Sequence, residues 1–268
     1  FPGSDGEKLG LKKGDLILGA EGKTMQEDGY SETLEAIAGE EGTKARIIIR
    51  RKATGETETV EMERKTTQQT MVSGKMLADG QTGFIRIYSF HRGSEKQMEK
   101  AVDKLVSQGA SQLVFDVRNN PGGSVDSVCT AVDTLVPRGL IMTLRTKEGK
   151  ETIYESDEKQ QELPMAVLVN AESISAAEFF AAALQEYGKA VIVGEQTIGK
   201  GYAQQNYELQ DGSALHLSDQ EYFTPLGKSL IGTGVTPDIT CAAPEGFDLY
   251  FSSEKKDVQL RAALAALE

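Results

Sequence analysis

Histidine is scarce in this chain: there are two in 268 residues. An imidazole base is therefore not the first expectation for any nucleophilic chemistry here, and a lysine amine is the natural alternative. Cysteine is equally rare. Cys129 and Cys241 are too few and too far apart for a disulfide framework, and two reduced, buried thiols are expected. Neither sits in a CxxC or beside a histidine cluster, so the sequence offers no metal site. No run of eighteen apolar residues exists, which leaves no membrane-spanning segment in the sequence. Basic charge is also short. Lys and Arg total 29 against 41 Asp and Glu, a net charge of −12. That balance argues against nucleic acid or an anionic membrane surface as a general partner.

The chain does not begin with Met and carries no signal peptide; its opening Phe1-Pro2-Gly3-Ser4 reads as the interior of something longer. We expect a fragment or processed form. Hydrophobic residues at 39% and charged residues at 26% are ordinary for a soluble globular protein of one large or two smaller domains.

Residues 1–65 read as a small, mostly β module. Gly10 to Asp15 is a turn, Leu16 to Ala20 a strand, and Ser31 opens a short helix with Leu34 and Ile37 on one face, closed by Gly39. Ala45–Arg50 and Thr57–Glu63 are predicted to pair as a hairpin around Gly55. From about Thr70 strands and helices alternate, which predicts an α/β core over 66–245, followed by a C-terminal helical segment over 246–268 packed on it. Predicted strands are Thr82–Tyr88, Gln112–Val117, Ile141–Thr146, Met165–Val169, Ala190–Val193 and Glu221–Thr224. A hairpin is predicted over Tyr207–Leu217, turning at Asp211-Gly212, and residues 147–163 read as an exposed hairpin or loop. Predicted helices are one capped by Ser94 with a Met98, Ala101, Val102, Leu105, Val106 stripe, then Val125–Leu135, the segment after Ser175, and Asp257–Leu267.

Two short segments carry the chemistry: Ser173-Ile174-Ser175-Ala176-Ala177-Glu178 and Gly199-Lys200-Gly201-Tyr202-Ala203-Gln204. Ser175-x-x-Glu178 is a capping box before an apolar helix face. A serine at a helix N-terminus is also where a nucleophile gains, since the next amide is free to donate and the helix dipole favours negative charge. Lys200 reads either as a solvated loop charge or as a base. A lysine base must be neutral, which apolar surroundings favour by penalising the ammonium. Asp116-Val117-Arg118-Asn119-Asn120-Pro121-Gly122-Gly123 ends a strand in a turn whose backbone amides can face outward; one of them with the Ala176 amide would make a two-donor oxyanion hole.

The stretch "GLKKGDLILGAEGKTM" and the order of elements around it resemble the second part of a PDZ domain. That resemblance implies β-augmentation of a peptide C-terminus, with the strand and loop that complete the groove expected ahead of Phe1. "DVRNNPGG", "SISAAE", "GEQTIGKGYAQ" and "YFTPLGKSLIGTGVTPDI" follow in that order. Together they resemble the C-terminal processing peptidases, or tail-specific serine proteases with a PDZ domain, across nearly the whole chain. The resemblance implies a crotonase/Clp-like ββα protease core. It implies Ser175, not Ser173, as nucleophile, Lys200 as general base, and Gln204 as the residue supporting the lysine. It places the oxyanion hole at Gly122, or Gly123 beside it, and Ala176. Ile174 departs from the family's usual alanine.

The expected function is that of a serine endopeptidase using a Ser-Lys dyad, without cofactor or metal, on unfolded or flexible protein tails. An extracytoplasmic location with a membrane anchor in the full-length protein is implied by the resemblance alone. The oligomeric state stays open, a homo-oligomer among the options. Alternatives are a catalytically silent peptide-binding module of the same fold, an interaction scaffold built on the PDZ part, and a crotonase-like acyl-CoA enzyme.

Overall fold

The computed structural model describes residues 5–12, 14–65, 70–208, 214–249 and 253–268. The chain divides into two compact units, Phe1–Thr70 and Met71–Glu268.

The first unit contains α1 (Asp5–Lys8), β1 (Leu16–Ala20), β2 (Lys23–Thr24), α2 (Gly29–Ile37), β3 (Lys44–Arg50) and β4 (Thr57–Glu63), with an antiparallel sheet in the order β2-β1-β3-β4. Its core follows strand alternation: Ala45, Ile47 and Ile49 of β3 point inward and pack with Ala20 and Val60. On α2 the buried residue is Thr33, with Ala36 and Ile37 half-buried against the core, while Leu34 is 40% exposed, so of the expected Leu34 and Ile37 face only Ile37 packs inward. Thr33 tolerates burial because its hydroxyl donates to the Gly29 carbonyl at 2.9 Å.

The second unit is built from β5 (Val72–Met76), β6 (Thr82–Ile87), α3 (Ser94–Ser107), β7 (Gln112–Asp116), α4 (Val125–Asp133), β8 (Gly139–Thr146), β9 (Glu151–Ser156), β10 (Met165–Val169), α5 (Ala176–Glu186), β11 (Ala190–Gly194), β12 (Tyr202–Glu208), β13 (Ala214–Phe223), β14 (Ile239–Thr240) and α6 (Val258–Leu267). A six-stranded sheet runs β14-β11-β10-β7-β6-β5 and is parallel except for β5. Its central strands are apolar on both faces, as a covered parallel sheet requires. Leu113, Phe115, Met165, Val167 and Ile192 meet the layer of α3, α4 and α5. Val114, Ala166, Leu168 and Val193 meet Leu260 and Ala263 of α6. Phe180 of α5 locks the first layer, its ring 5.4 Å from Phe90 and 5.6 Å from Phe115.

The helix after Gly93 starts differently from expectation. Ser94 is its first helical residue and no cap; its hydroxyl is buried without a hydrogen-bond partner among the described residues. Gly93 holds the cap position at φ +96°, and its amide donates to Glu95 Oε2 at 2.9 Å. Val106 of the predicted stripe is 40% exposed.

A second, antiparallel sheet runs β12-β13-β8-β9. Residues 147–163 do contain a hairpin strand, β9, paired with β8. The strand expected at Glu221–Thr224 is the end of β13, and the turn expected at Asp211-Gly212 lies outside the described residues. Cys129 is buried and Cys241 half-buried, both reduced.

The topology has one consequence for function. The segments holding Asn119–Gly123, Ser175 and Lys200 leave the carboxyl ends of β7, β10 and β11, which are neighbours in the sheet. That edge of a parallel sheet is where α/β folds place ligands.

Candidate active site

Ser175 sits on the sharp corner between β10 and α5 with φ 58° and ψ −115°. Only three described residues other than glycine have positive φ, and two of them, Asn119 and Ser175, are here. Such a conformation costs about 1–3 kcal/mol and persists only where neighbours fix it. The fixing bonds are visible. The Ile174 amide donates to the Asn120 carbonyl at 2.9 Å, and the Ser175 amide donates to Glu178 Oε2 at 2.8 Å. Asn119 and Asn170 exchange two further bonds, at 3.0 and 2.6 Å. Ser173 is different in kind: it is fully buried, and its hydroxyl donates to the Val117 carbonyl at 2.9 Å. It ties the corner to β7 and is unavailable to a substrate.

The lysine loop is held just as tightly through its backbone. Glu178, 0% exposed, accepts from Thr197 Oγ1 at 2.6 Å, from the Gly199 amide at 2.7 Å and from the Lys200 amide at 2.9 Å. One carboxylate therefore joins the serine corner to the lysine loop. Glycine is required on both sides of Lys200, since a Cβ at Gly199 would lie 2.6 Å from the Leu230 carbonyl oxygen and one at Gly201 2.8 Å from the Ile231 amide. The buried Tyr222 hydroxyl donates to the Lys200 carbonyl. Burial pushes the Tyr222 phenol upward, the Glu178 charge adds to it, and the neighbouring Ser175 hydroxyl acts in the opposite direction.

The side chains of Ser175 and Lys200 are not tied to each other. The Lys200 ammonium, on a half-buried residue, makes no hydrogen bond or ion pair with any described residue, Ser175 included. Gln204 is exposed, and its amide nitrogen donates to Ser218 Oγ at 3.4 Å, away from Lys200.

The turn after β7 departs from expectation in one respect. The Gly122 amide is committed, donating to Asn120 Oδ1 at 2.8 Å, because the buried asparagine closes its own turn. Gly122 still abuts the serine: a Cβ there would lie 3.0 Å from the Ala176 nitrogen and 3.0 Å from Ser175 Cβ. The amides without a partner among the described residues are those of Gly123 and Ala176. Phe90 bonds the Gly122 carbonyl and the Ser124 amide, each at 2.8 Å, which turns the Gly123 N–H to the other side.

A cleft of about 440 Å³ opens beside Ser175. Gly123, Ala176, Tyr222 and Gln204 share its wall with the serine, and Val128, Met142, Leu144 and Phe179 are apolar lining. A more open depression of about 690 Å³ around Arg138, Ser156 and Glu158 shares no residue with it. Its one serine is spent, the Ser156 hydroxyl lying against the Pro137 and Gly139 carbonyls at 2.6 and 3.1 Å. Ser175, Ala176, Gly123 and Gln204 line the smaller cleft; Lys200 is not among its lining residues.

The "Peptidase family S41" pattern matches residues 81–241, which span all three segments of this site. The chain belongs to peptidase family S41. It is 32% identical over 256 residues to the carboxy-terminal processing protease CtpA of Bacillus subtilis, covering 94% of this chain and 54% of that protein. It is 31% identical over 248 residues to a probable CtpA-like serine protease of Staphylococcus aureus, covering 91% of this chain and 49% of that one. The chain thus spans about half the length of the curated relatives it matches. Among solved structures, it is similar to a photosystem II D1 C-terminal processing protease at 28% identity and a TM-score of 0.59, covering 91% of this chain and 68% of the other. An S41 protease structure from Bacteroides fragilis, at 20% identity and a TM-score of 0.67, shares the fold.

Four residues around this site carry no part in the chemistry in the sequence reading. Glu178 reads there as half of a capping box, with no sign that its second oxygen would hold a loop over twenty residues away. Tyr222 reads as a strand residue. Asp116 and Arg118 appear inside a motif without a task, yet both are buried beneath the turn. Arg118 bonds Asp116 at 2.8 Å and Asp257 at 2.7 Å, and it donates to Gln259 Oε1 at 2.8 Å, tying the end of β7 to the start of α6. Burial pushes the Asp116 carboxyl up, but the guanidiniums of Arg118 and Arg86 outweigh it and hold it below the usual carboxylate range. The available signal was a charged Asp-x-Arg at the end of an otherwise apolar strand, since charges placed there must be paired.

Proposed function

We propose that this chain hydrolyses peptide bonds by attack of the Ser175 hydroxyl on a substrate carbonyl, with Lys200 as general base. The observation that carries the reading is the shared carboxylate. Glu178 fixes the backbone of a strained, cleft-facing serine and of a lysine whose side-chain amine has no partner among the described residues. Lysine has a long flexible stem with which Nζ would turn toward Ser175 Oγ in this scheme, and catalytic hydrogen bonds often tighten only when substrate arrives.

In this scheme neutral Lys200 takes the serine proton as the C–O bond forms. The tetrahedral oxyanion lies between the amides of Ala176 and Gly123, the second taking the place expected of Gly122, and Gly122 provides the close approach. Lysine then returns the proton to the leaving amine, and water resolves the acyl-enzyme. These steps call on side chains and backbone amides of the chain alone.

The resemblance of the B. subtilis and S. aureus relatives supports protein substrates. Flexible tails fit a cleft whose mouth a β-ribbon borders, because only an extended chain could thread past it. The four-stranded sheet and short helix of the first unit support the PDZ reading, and the alternating second unit supports a crotonase/Clp-like core. No helix among the described residues is long and apolar enough to cross a membrane; the extracytoplasmic placement rests on the resemblance.

Turnover of an unstructured protein substrate tests the dyad. Ser175→Ala and Lys200→Ala are each expected to lower kcat by about 10⁴ or more. Substantial turnover by either variant would end the proposal.

A further inference from the structure

The cleft beside Ser175 is electrically one-sided. Its lining includes no Lys, Arg or His, and its one carboxylate is Asp126, in the first turn of α4. The remainder is apolar surface with glutamine, threonine, serine and tyrosine around it. Asp126 is not loose on that surface. The Tyr154 hydroxyl donates to its Oδ1 at 2.9 Å, while Oδ2 has no partner among the described residues. Burial and the Asp126 charge push the Tyr154 hydroxyl up to about 12, so it remains a donor across the neutral range. Strand register places this pair over apolar surface, because Tyr154 lies opposite Met142 and Thr152 opposite Leu144 in the β8–β9 ladder. Met142 and Leu144 are themselves buried.

An aliphatic stem with a cationic head matches that arrangement. Its methylenes would lie along the partly exposed Val125 and Tyr154 of the lining, backed by Met142 and Leu144, while its charge reaches the free Asp126 oxygen, as Lys and Arg do wherever apolar surface borders a carboxylate. A Glu or Asp side chain, or a terminal carboxylate, entering the same place would meet like charge with no compensating cation. We infer that Asp126, held by Tyr154, is a specificity-determining residue that selects a basic side chain near the scissile bond and rejects an acidic one. The kinetic part of this inference rests on the proposed hydrolase reading; the binding part does not.

The test uses one unstructured peptide series in which each of the three residues on either side of the cleaved bond is varied singly to Lys, Ala or Glu. Values of kcat/KM are compared for wild type, Asp126→Asn, Asp126→Lys and Tyr154→Phe, and Kd for the same peptides is measured on Ser175→Ala. At one position, attraction of Lys and repulsion of Glu should add to a Lys-over-Glu preference of about tenfold. That ratio should fall to within about twofold in Asp126→Asn, invert in Asp126→Lys, shrink partly in Tyr154→Phe, and weaken with added salt. A ratio unchanged by Asp126→Asn at every position overturns the inference. So does the absence of any charge preference in both turnover and binding. Charge-dependent binding without turnover in any form upholds the role of Asp126 and overturns the hydrolase reading instead.

Discussion

The two sides of the cleft are built on opposite plans. On the parallel-sheet side, buried carboxylates fix the backbone at Ser175 and Lys200 and the arginine that precedes the Asn119–Gly123 turn. Glu178 holds Ser175 and Lys200, and Asp116 with Asp257 holds Arg118 beneath the Asn119–Gly123 turn. On the antiparallel side, β12 and β13 form a ribbon whose outward residues are exposed, Tyr207, Leu215 and Leu217 among them. Gln204 hangs on that ribbon by a single long bond to Ser218. The contrast teaches where precision is located: backbone geometry is built on the sheet side, and adaptability to a substrate on the ribbon side. Changes on the first should cost stability and turnover together, and changes on the second turnover alone.

The sharpest break is Glu178→Gln. The amide keeps one acceptor oxygen but turns an NH₂ toward two or more of the four donors that Glu178 now satisfies. Each buried donor left unpaired costs about 1–3 kcal/mol. We expect kcat to fall at least about a hundredfold, because Ser175 and Lys200 lose their common anchor. KM should move much less, since the residue lines no part of the cleft. Steady-state kinetics with a thermal melt checks this; a melt lowered by several degrees with kcat unchanged would make Glu178 a stability residue only.

Arg118→Met comes next and should act more on the fold than on the chemistry. Removing one partner of a buried ion network costs about 3–5 kcal/mol, which in a unit of this size is a drop of roughly 6–20 °C in Tm. The pH dependence has a definite sign. Asp116 titrates below its unfolded value, so its stabilisation is full above the ordinary carboxylate range of about 4 and fades as pH falls through the lower folded value. The gap between wild type and Arg118→Met should be widest near neutrality and narrow in acid. A gap that widened in acid would mean that Asp116 is not the group Arg118 neutralises.

Legibility in the sequence divides along the same line. Periodicity and turn residues located β1, β4, β10 and the start of α5 almost to the residue, because each of those signals is local. The serine and lysine were legible for the same reason, each standing in a short segment of small residues. The short pairings β2, β5 and β14 were not, since their strand character comes from neighbours distant in sequence. Glu178's second task was hidden likewise: a capping box is complete within four residues, and nothing local says that the carboxylate also accepts from Gly199 and Lys200. Leu34 and Thr33 exchanged places because a hydroxyl satisfied inside its own helix is as easily buried as a leucine. The commitment of the Gly122 amide depended on an Asn120 rotamer that no pattern encodes.

The smallest effect expected is also the one that decides what the ribbon does. Gln204→Ala removes an exposed side chain with one weak bond, so stability should stay within about 0.5 kcal/mol of wild type. Kinetics then separates two roles. If the amide swings from Ser218 to the Lys200 ammonium when substrate fills the cleft, kcat should fall by roughly tenfold with KM nearly constant, because an interaction made only near the transition state is lost. The pH–rate profile should shift too, since that hydrogen bond biases the lysine between its charged and neutral forms. If Gln204 serves only as cleft wall, KM should rise while kcat and the profile stay put, as for any group that binds ground and transition states alike. We expect the first pattern, because the register shift that leaves Asp219 of β13 unpaired opposite the Ala203–Gln204 step locally interrupts the ladder beside Gln204.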